Sequence, residues 1–360
     1  SYVYDSPEQA EARFKGEDEG FIYSRYGKHT VKLFEDRLAA IEKGEKCFAT
    51  STGMAAVFAS LMCILEQGDK VVASRALFGS CYQILTKILP KYGIETILVS
   101  GTNIDEWEEA IDDRTKAVFF ETPSNPTLEI IDISAVCKIA KKHGAKVIID
   151  NVFATPILQH PLELGVDIVV YSSTKHIDGQ GRALGGAIIS DNEYYDKFLK
   201  PYMRHTGASM SPFNAWVMLK GLETLKLRVE HQSDIALRIA NYLKKHPKIS
   251  KVIYPAEHTH EQYELINSQM SKGGTVLTMI IDGGKKEAFK LLNSLKIIDI
   301  SNNLGDTKSL ITHPATTTHY SLGESGRKEA GIPDGMIRLS VGLENIDDLI
   351  EDLEYSINIF

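Results

Sequence analysis

Short runs of β-branched and other apolar residues recur through the first half of the chain, each separated from the next by a segment with helical spacing. Residues 70–74, 95–99, 116–120, 146–149, 168–171 and 187–190 read as buried strands, and 81–92 and 133–143 as helices between them. A further short strand begins at Lys46 and runs into Thr50-Ser-Thr-Gly53, a hydroxyl-rich turn that opens an apolar helix. Strands alternating with helices predict an α/β domain with a mainly parallel sheet, whose ligand lies beyond the carboxyl ends of the strands. Upstream, Thr30 is expected to cap an amphipathic helix over 31–41, while 1–30 has weak periodicity and many charges. The stretch ending Tyr23-Ser-Arg25-Tyr-Gly reads either as ordinary loop or as an arm that docks on a neighbouring subunit. After Trp216 the pattern changes. A long helical region (215–245) leads to Pro247, then to strands at 274–281 and 336–341, a helix at 285–293 and a closing helix from Ile346. This predicts a smaller α+β domain, and the chain divides into an arm (1–30), a large domain (31–228) and a small domain (229–360).

Composition narrows the picture only a little. A chain of 360 residues, 43% hydrophobic, can bury a large core. The net charge of −8 with no long run of one sign gives no reason to expect nucleic acid or a membrane surface. The longest apolar run, 53–65, is too short to span a bilayer. Cys47, Cys63, Cys81 and Cys137 show neither a Cys-x-x-Cys nor a regular framework, which predicts buried, reduced thiols in the cytoplasm. No signal peptide is visible, and the start at Ser1 leaves room for a preceding piece.

Chemistry concentrates at strand ends. The run 168–171 ends in Ser172-Ser-Thr174-Lys175 and then breaks into glycines. A lysine there is partly desolvated, which lowers its pKa and frees a nucleophilic amine. The preceding strand ends in Asp150. An amine, a carboxylate and hydroxyl donors together match the needs of pyridoxal phosphate: a Schiff-base lysine, an acid at the ring nitrogen and a phosphate cup. Gly53 at its helix start is a second wall for that phosphate or simply a capped turn. Phe78 and Asn125 follow two more strands. Arg338 stands among apolar residues and needs an anion, either a structural carboxylate or a substrate carboxylate gripped bidentately. Other sites are weaker. Gly179-x-Gly181 has Leu184 where a dinucleotide fingerprint needs its third glycine, and His258 and His260 have no completing metal ligand. A lysine Schiff-base aldolase would need neither Asp150 nor a phosphate cup.

The strings Ser172-Ser-Thr-Lys-His-Ile-Asp-Gly-Gln-Gly181, Tyr23-Ser-Arg25, Ser51-Thr-Gly-Met54, Glu121-Thr-Pro-Ser-Asn-Pro-Thr127, Ser309 to His319 and Ile337-Arg-Leu-Ser-Val-Gly-Leu-Glu344 resemble the cystathionine γ-synthase-like enzymes of cysteine and methionine metabolism. The resemblance covers nearly the whole chain. It implies a fold type I (aspartate-aminotransferase-like) domain and a homotetramer of two active dimers. By the same match Lys175 carries pyridoxal 5'-phosphate and Asp150 contacts its ring nitrogen. Gly53, Met54, Ser172 and Thr174 hold the phosphate, joined by Tyr23 and Arg25 from the neighbouring subunit. Arg338 takes the substrate α-carboxylate, with Ser309 and Asn125 nearby. Two positions depart from the family pattern: His176 follows the lysine, and Phe78 stands where a stacking tyrosine is usual, so Lys175 or Tyr23 must take over proton transfer. Details such as the Phe-Gly-Ser turn point to the branch that joins sulfide to O-succinylhomoserine, with O-acetylhomoserine or γ-/β-elimination as alternatives. Lys308 and Arg182 are expected to favour a distal carboxylate.

Overall fold

The computed structural model describes residues 1–258 and 260–359. Seven strands form the first sheet: β1 (Lys46–Thr50), β2 (Lys70–Ser74), β3 (Glu95–Val99), β4 (Thr115–Glu121), β5 (Lys146–Asp150), β6 (Ile168–Ser172) and β7 (Gly186–Ser190), in the order β1-β7-β6-β5-β4-β2-β3. The pairs from β3 to β6 are parallel, and β7 runs antiparallel to both β6 and β1. Since β7 reverses direction twice, β1 points the same way as β6. The turn after Thr50 therefore opens at the same sheet end as Asp150 and Lys175.

Alternation along each strand sends side chains to two cores. Val118, Phe120, Val147, Ile149 and Val169 face one; Ala117, Phe119, Ile148, Ile168 and Val170 face the other. Both faces are covered by helices, as a parallel sheet requires. Helix α1 (Pro7–Lys15) has no buried residue and is held by local devices: the Ser6 cap, Pro7 at its first position, and Gly16 at φ 80° closing the C-terminus. With no apolar stripe, it left no helical signature. Helix α2 (His29–Glu42) starts after Lys28, which makes no side-chain cap, so Thr30 lies inside the first turn rather than capping it. Helix α3 (Gly53–Met62) is capped by Thr52, whose Oγ1 accepts from Ala55 N–H at 3.0 Å.

Two expected helices are broken. The stretch 79–92 winds as a short α turn, a wide π turn over Ile84–Ile88 and a 3₁₀ turn over Leu89–Tyr92, where Pro90 supplies no backbone donor. The region 215–245 divides into α4 (Pro212–Leu222) and α5 (Leu225–Leu243). Gly221, in the last turn of α4, packs so closely on the Ile177 carbonyl that a Cβ would sit 2.0 Å from its oxygen. Helix α5 joins two cores: Leu225 and Val229 pack under the first sheet, Ile235, Ile239 and Leu243 under the second. Residue 228 falls inside it. The second sheet comprises β8 (Ile249–Ile253), β9 (Val276–Ile281), β10 (Asp299–Ile300), β11 (Leu310–Thr312) and β12 (Met336–Ser340), in the order β10-β11-β12-β9-β8. Helix α6 (Ile346–Asn358) covers it through Leu349, Leu353 and Ile357, spaced four apart on one face. No helix among the described residues is long and apolar enough to cross a membrane.

Candidate active site

A cavity of about 260 Å³ opens at the carboxyl ends of the first sheet, lined among others by Gly53, Met54, Phe78, Asn125, Asp150, Ser172, Thr174, Lys175 and Arg338. These come from the turns after β1, β2, β4, β5 and β6, and from β12 of the second sheet.

Lys175 Nζ donates to Asn303 Oδ1 at 2.6 Å. Burial, helped by the Arg338 charge and opposed by Asp150, lowers the lysine from 10.5 to about 8. Asp150 Oδ1 accepts from Val152 N–H at 3.0 Å, yet burial pushes its carboxyl up. At the other end of the cavity, Gly53 packs against β6. A Cβ there would lie 2.6 Å from Ser172 Cβ and 2.8 Å from Ser172 Cα, so only glycine brings the α3 N-terminus this close. The Thr174 hydroxyl is shared with Gly185, accepting from its N–H at 3.1 Å and reaching its carbonyl at 3.3 Å. The Ser172 hydroxyl has no protein partner among the described residues.

Arg338 is 1% exposed. Its Nη1 donates to Asn125 Oδ1 at 2.9 Å, and Nη2 to the carbonyls of Asn302 and Asn303 at 2.9 and 3.1 Å. Nε has no partner, and no carboxylate pairs with the guanidinium among the described residues. Burial alone lowers its pKa to about 10. A desolvated cation with no anion among the described residues thus stands beside a lysine of lowered pKa, an arrangement that can take up a carboxylate.

Five expected site residues lie elsewhere in this chain. Ser309 is buried outside the cavity, its hydroxyl donating to Glu344 at 2.8 Å and accepting from Gly342 N–H at 2.9 Å. Lys308 is exposed and does not line the cavity. Arg182 lines an adjoining cavity shared with Thr174, Lys175 and Leu184, but Asp178 holds it: Nε donates to Asp178 Oδ1 at 3.0 Å and Nη2 to the Asp178 carbonyl at 2.8 Å. Tyr23 is 54% exposed, and Arg25 donates to the Arg204 carbonyl while stacking over Tyr23 and Tyr26. His176 is buried, accepting from or donating to Thr275 Oγ1 at 2.7 Å, and burial drives it down to about 3. Sequence reasoning missed Glu121 and Asn303. Glu121 ends a buried strand in register with Asp150, a signal that was present; Asn303 gave none.

The donor set fits pyridoxal phosphate: a low-pKa amine, a carboxylate, an open helix N-terminus against a glycine, and an unpaired guanidinium. These features define a pyridoxal-phosphate enzyme of fold type I. The model of the Cys/Met metabolism PLP-dependent enzymes matches residues 1–358. The chain is 54% identical over 361 residues to an O-succinylhomoserine sulfhydrylase of Mycobacterium tuberculosis, covering 99% of this chain and 89% of that one. It is 40% identical to an L-methionine gamma-lyase of Fusobacterium nucleatum subsp. polymorphum, covering 98% and 90%. A solved O-acetylhomoserine (thiol)-lyase of Campylobacter jejuni, described as putative and carrying a pyridoxyl-lysine monophosphate, superposes with a TM-score of 0.95 at 36% identity, covering 99% and 93%. The chain belongs to the Cys/Met metabolism family of PLP-dependent enzymes, and its cofactor is pyridoxal phosphate.

Proposed function

We propose that the chain catalyses γ-replacement on O-succinylhomoserine with sulfide, yielding homocysteine and succinate. The carrying observation is that Lys175 Nζ and the anion-free guanidinium of Arg338 line one cavity. The 54% identity to a sulfhydrylase supports the choice of reaction.

Pyridoxal phosphate, when bound, supplies an electron sink for carbanions at the substrate Cα and Cβ. Gly53, Met54, Ser172 and Thr174 hold its phosphate, with Tyr23 and Arg25 of the neighbouring subunit completing the cup. Asp150 would favour a protonated ring nitrogen, and Phe78 would flank the ring. Arg338 and Asn125 grip the α-carboxylate and fix the Cα–H bond toward Lys175. Lys175 Nζ, its pKa lowered to about 8 by burial, removes that proton in its neutral form. Phe78 has no hydroxyl, so later proton traffic falls to Lys175 and the neighbour's Tyr23. At Cγ the C–O bond breaks with the electron pair leaving on succinate; hydrosulfide forms the new C–S bond and keeps its proton. Ser309 acts from behind the wall rather than on substrate. The exposed Tyr23, with the half-buried Arg25 stacked on it, supports an arm (1–30) that docks on a neighbour in a homotetramer, with 31–228 and 229–360 as the large and small domains. Four unpaired cysteines support a reducing, cytoplasmic setting.

The 40% identity to a methionine gamma-lyase favours one second reading, net elimination on the same site. For the acyl group, Arg182, held by Asp178 in the adjoining cavity beside Lys175, is the discriminating residue, and Lys308 is too far outside to contribute. In wild type, kcat/KM should favour the succinyl over the acetyl ester. Arg182→Ala should lower the succinyl value by roughly tenfold, the loss of one charge-assisted contact, and leave the acetyl value nearly unchanged. Equal losses on both esters contradict the assignment.

A further inference from the structure

Glu121 is buried at the end of β4, and strand register sets it directly beside Asp150. It lines the same cavity. Its Oε1 accepts from Asn125 N–H at 2.8 Å, and the Phe78 N–H also points at the carboxyl. Asn125 in turn receives Arg338 Nη1. One side chain thus ties the turn carrying the ring-facing Phe78 to the loop that braces the carboxylate-binding arginine. No ion pair reaches Glu121 among the described residues.

We propose that Glu121 is a positioning residue of this site, holding the Phe78 and Asn125 walls on the strand end that carries Asp150 and setting the charge beside Asp150. The proposal rests on the reading of the cavity as the cofactor and substrate site. Two carboxyls on neighbouring strand ends cannot both ionise cheaply away from water. The groups around them decide which keeps the proton. Lys175 favours the charged form of Asp150, while Glu121 faces Asp150 and Glu129, with the buried Cys81 thiol behind. Arg338 and the neutral, buried His319 stand beyond Asn125. Burial and the Asp150 charge push Glu121 upward, so the shared proton sits on Glu121 and Asp150 stays charged for the ring nitrogen. As pH rises, Glu121 ionises and adds a second negative charge at the strand ends.

The test uses holoenzyme with Glu121→Gln, which keeps an acceptor oxygen without charge, and Glu121→Asp, which keeps charge but loses reach. The readouts are the pH titration of the cofactor's visible band and the division of the effect between KM and kcat. In Glu121→Gln, which cannot ionise, the band should persist and its midpoint should fall by roughly half a pH unit or more, because wild type gains the Glu121 charge as pH rises through the titration. In Glu121→Asp the midpoint should stay near wild type, while KM for the acylhomoserine rises roughly tenfold with a smaller change in kcat. A folded Glu121→Gln with wild-type midpoint and KM overturns the proposal. Should that variant fail to fold, a wild-type KM in Glu121→Asp overturns it instead. Failure of the underlying site reading looks different: wild type itself would develop no visible band with pyridoxal phosphate.

Discussion

Replacing Arg338 by methionine separates substrate binding from folding. The guanidinium is buried, and the fall of its pKa to about 10 corresponds to roughly 3 kcal/mol of cost for keeping the charge out of water. Against this stand three hydrogen bonds, to Asn125 Oδ1 and the carbonyls of Asn302 and Asn303. Each is a bond to a charged donor and is worth about 1.5–3 kcal/mol, and each acceptor left dry would cost about 1–3 kcal/mol. Methionine has similar length and removes the desolvation cost, but three bonds at that worth outweigh it. The fold should lose about 2–6 kcal/mol, seen as a lowered but still cooperative thermal transition. Substrate binding has no such compensation. A bidentate grip on the α-carboxylate is worth about 3–4 kcal/mol, so kcat/KM should fall roughly 10²- to 10³-fold, mostly through KM. The assay pairs thermal unfolding of the cofactor-free protein with steady-state kinetics on the acylhomoserine. A folded variant that loses less than about tenfold in kcat/KM refutes the assignment of Arg338 as the carboxylate socket.

Two further outcomes follow from the same geometry. Burial and the Arg338 charge lower Lys175 to about 8, so its neutral amine is plentiful above that pH. The rate at which cofactor-free protein develops the visible band on adding pyridoxal phosphate should rise through pH 8 and then level. A rate still climbing near the ordinary lysine value of about 10.4 contradicts the desolvation argument. Gly53→Ala places a Cβ 2.6 Å from Ser172 Cβ, with Ser172 backbone 2.8 Å away, so α3 must back off the strand. Overpacking of about 1–3 kcal/mol should weaken cofactor binding roughly tenfold, measured by titrating the band; unchanged affinity removes Gly53 from the phosphate cup.

Lys175, Asp150 and Gly53 were legible because parallel strands deliver their last residues to one place. Each stands where an apolar run stops. Glu121 was missed for a related reason: its strand was read as ending at Phe120, one residue early, and the carboxyl was assigned to the loop of Glu121-Thr-Pro-Ser-Asn125. Asn303 is invisible locally, since its partner Lys175 lies 128 residues away and meets it only through docking of the second sheet. Helix α1 relies on caps rather than a buried face, and the 79–92 stretch keeps a helical apolar period although Pro90 and a wide turn change its winding. Arg338 was readable as a buried cation in need of an anion. That no carboxylate answers it among the described residues is a fact of packing, which periodicity does not carry. Ser309 and Lys308 were assigned by motif position, and the motif does not reveal that Glu344 claims the Ser309 hydroxyl.

The central claim is a bond made at Cγ. Mass-spectrometric product analysis of the holoenzyme with O-succinylhomoserine, run with and without sulfide, tests it directly. Homocysteine and succinate should form together, with homocysteine only where sulfide is present. Dominant 2-oxobutanoate even with sulfide present would make the enzyme an eliminating lyase and contradict the account.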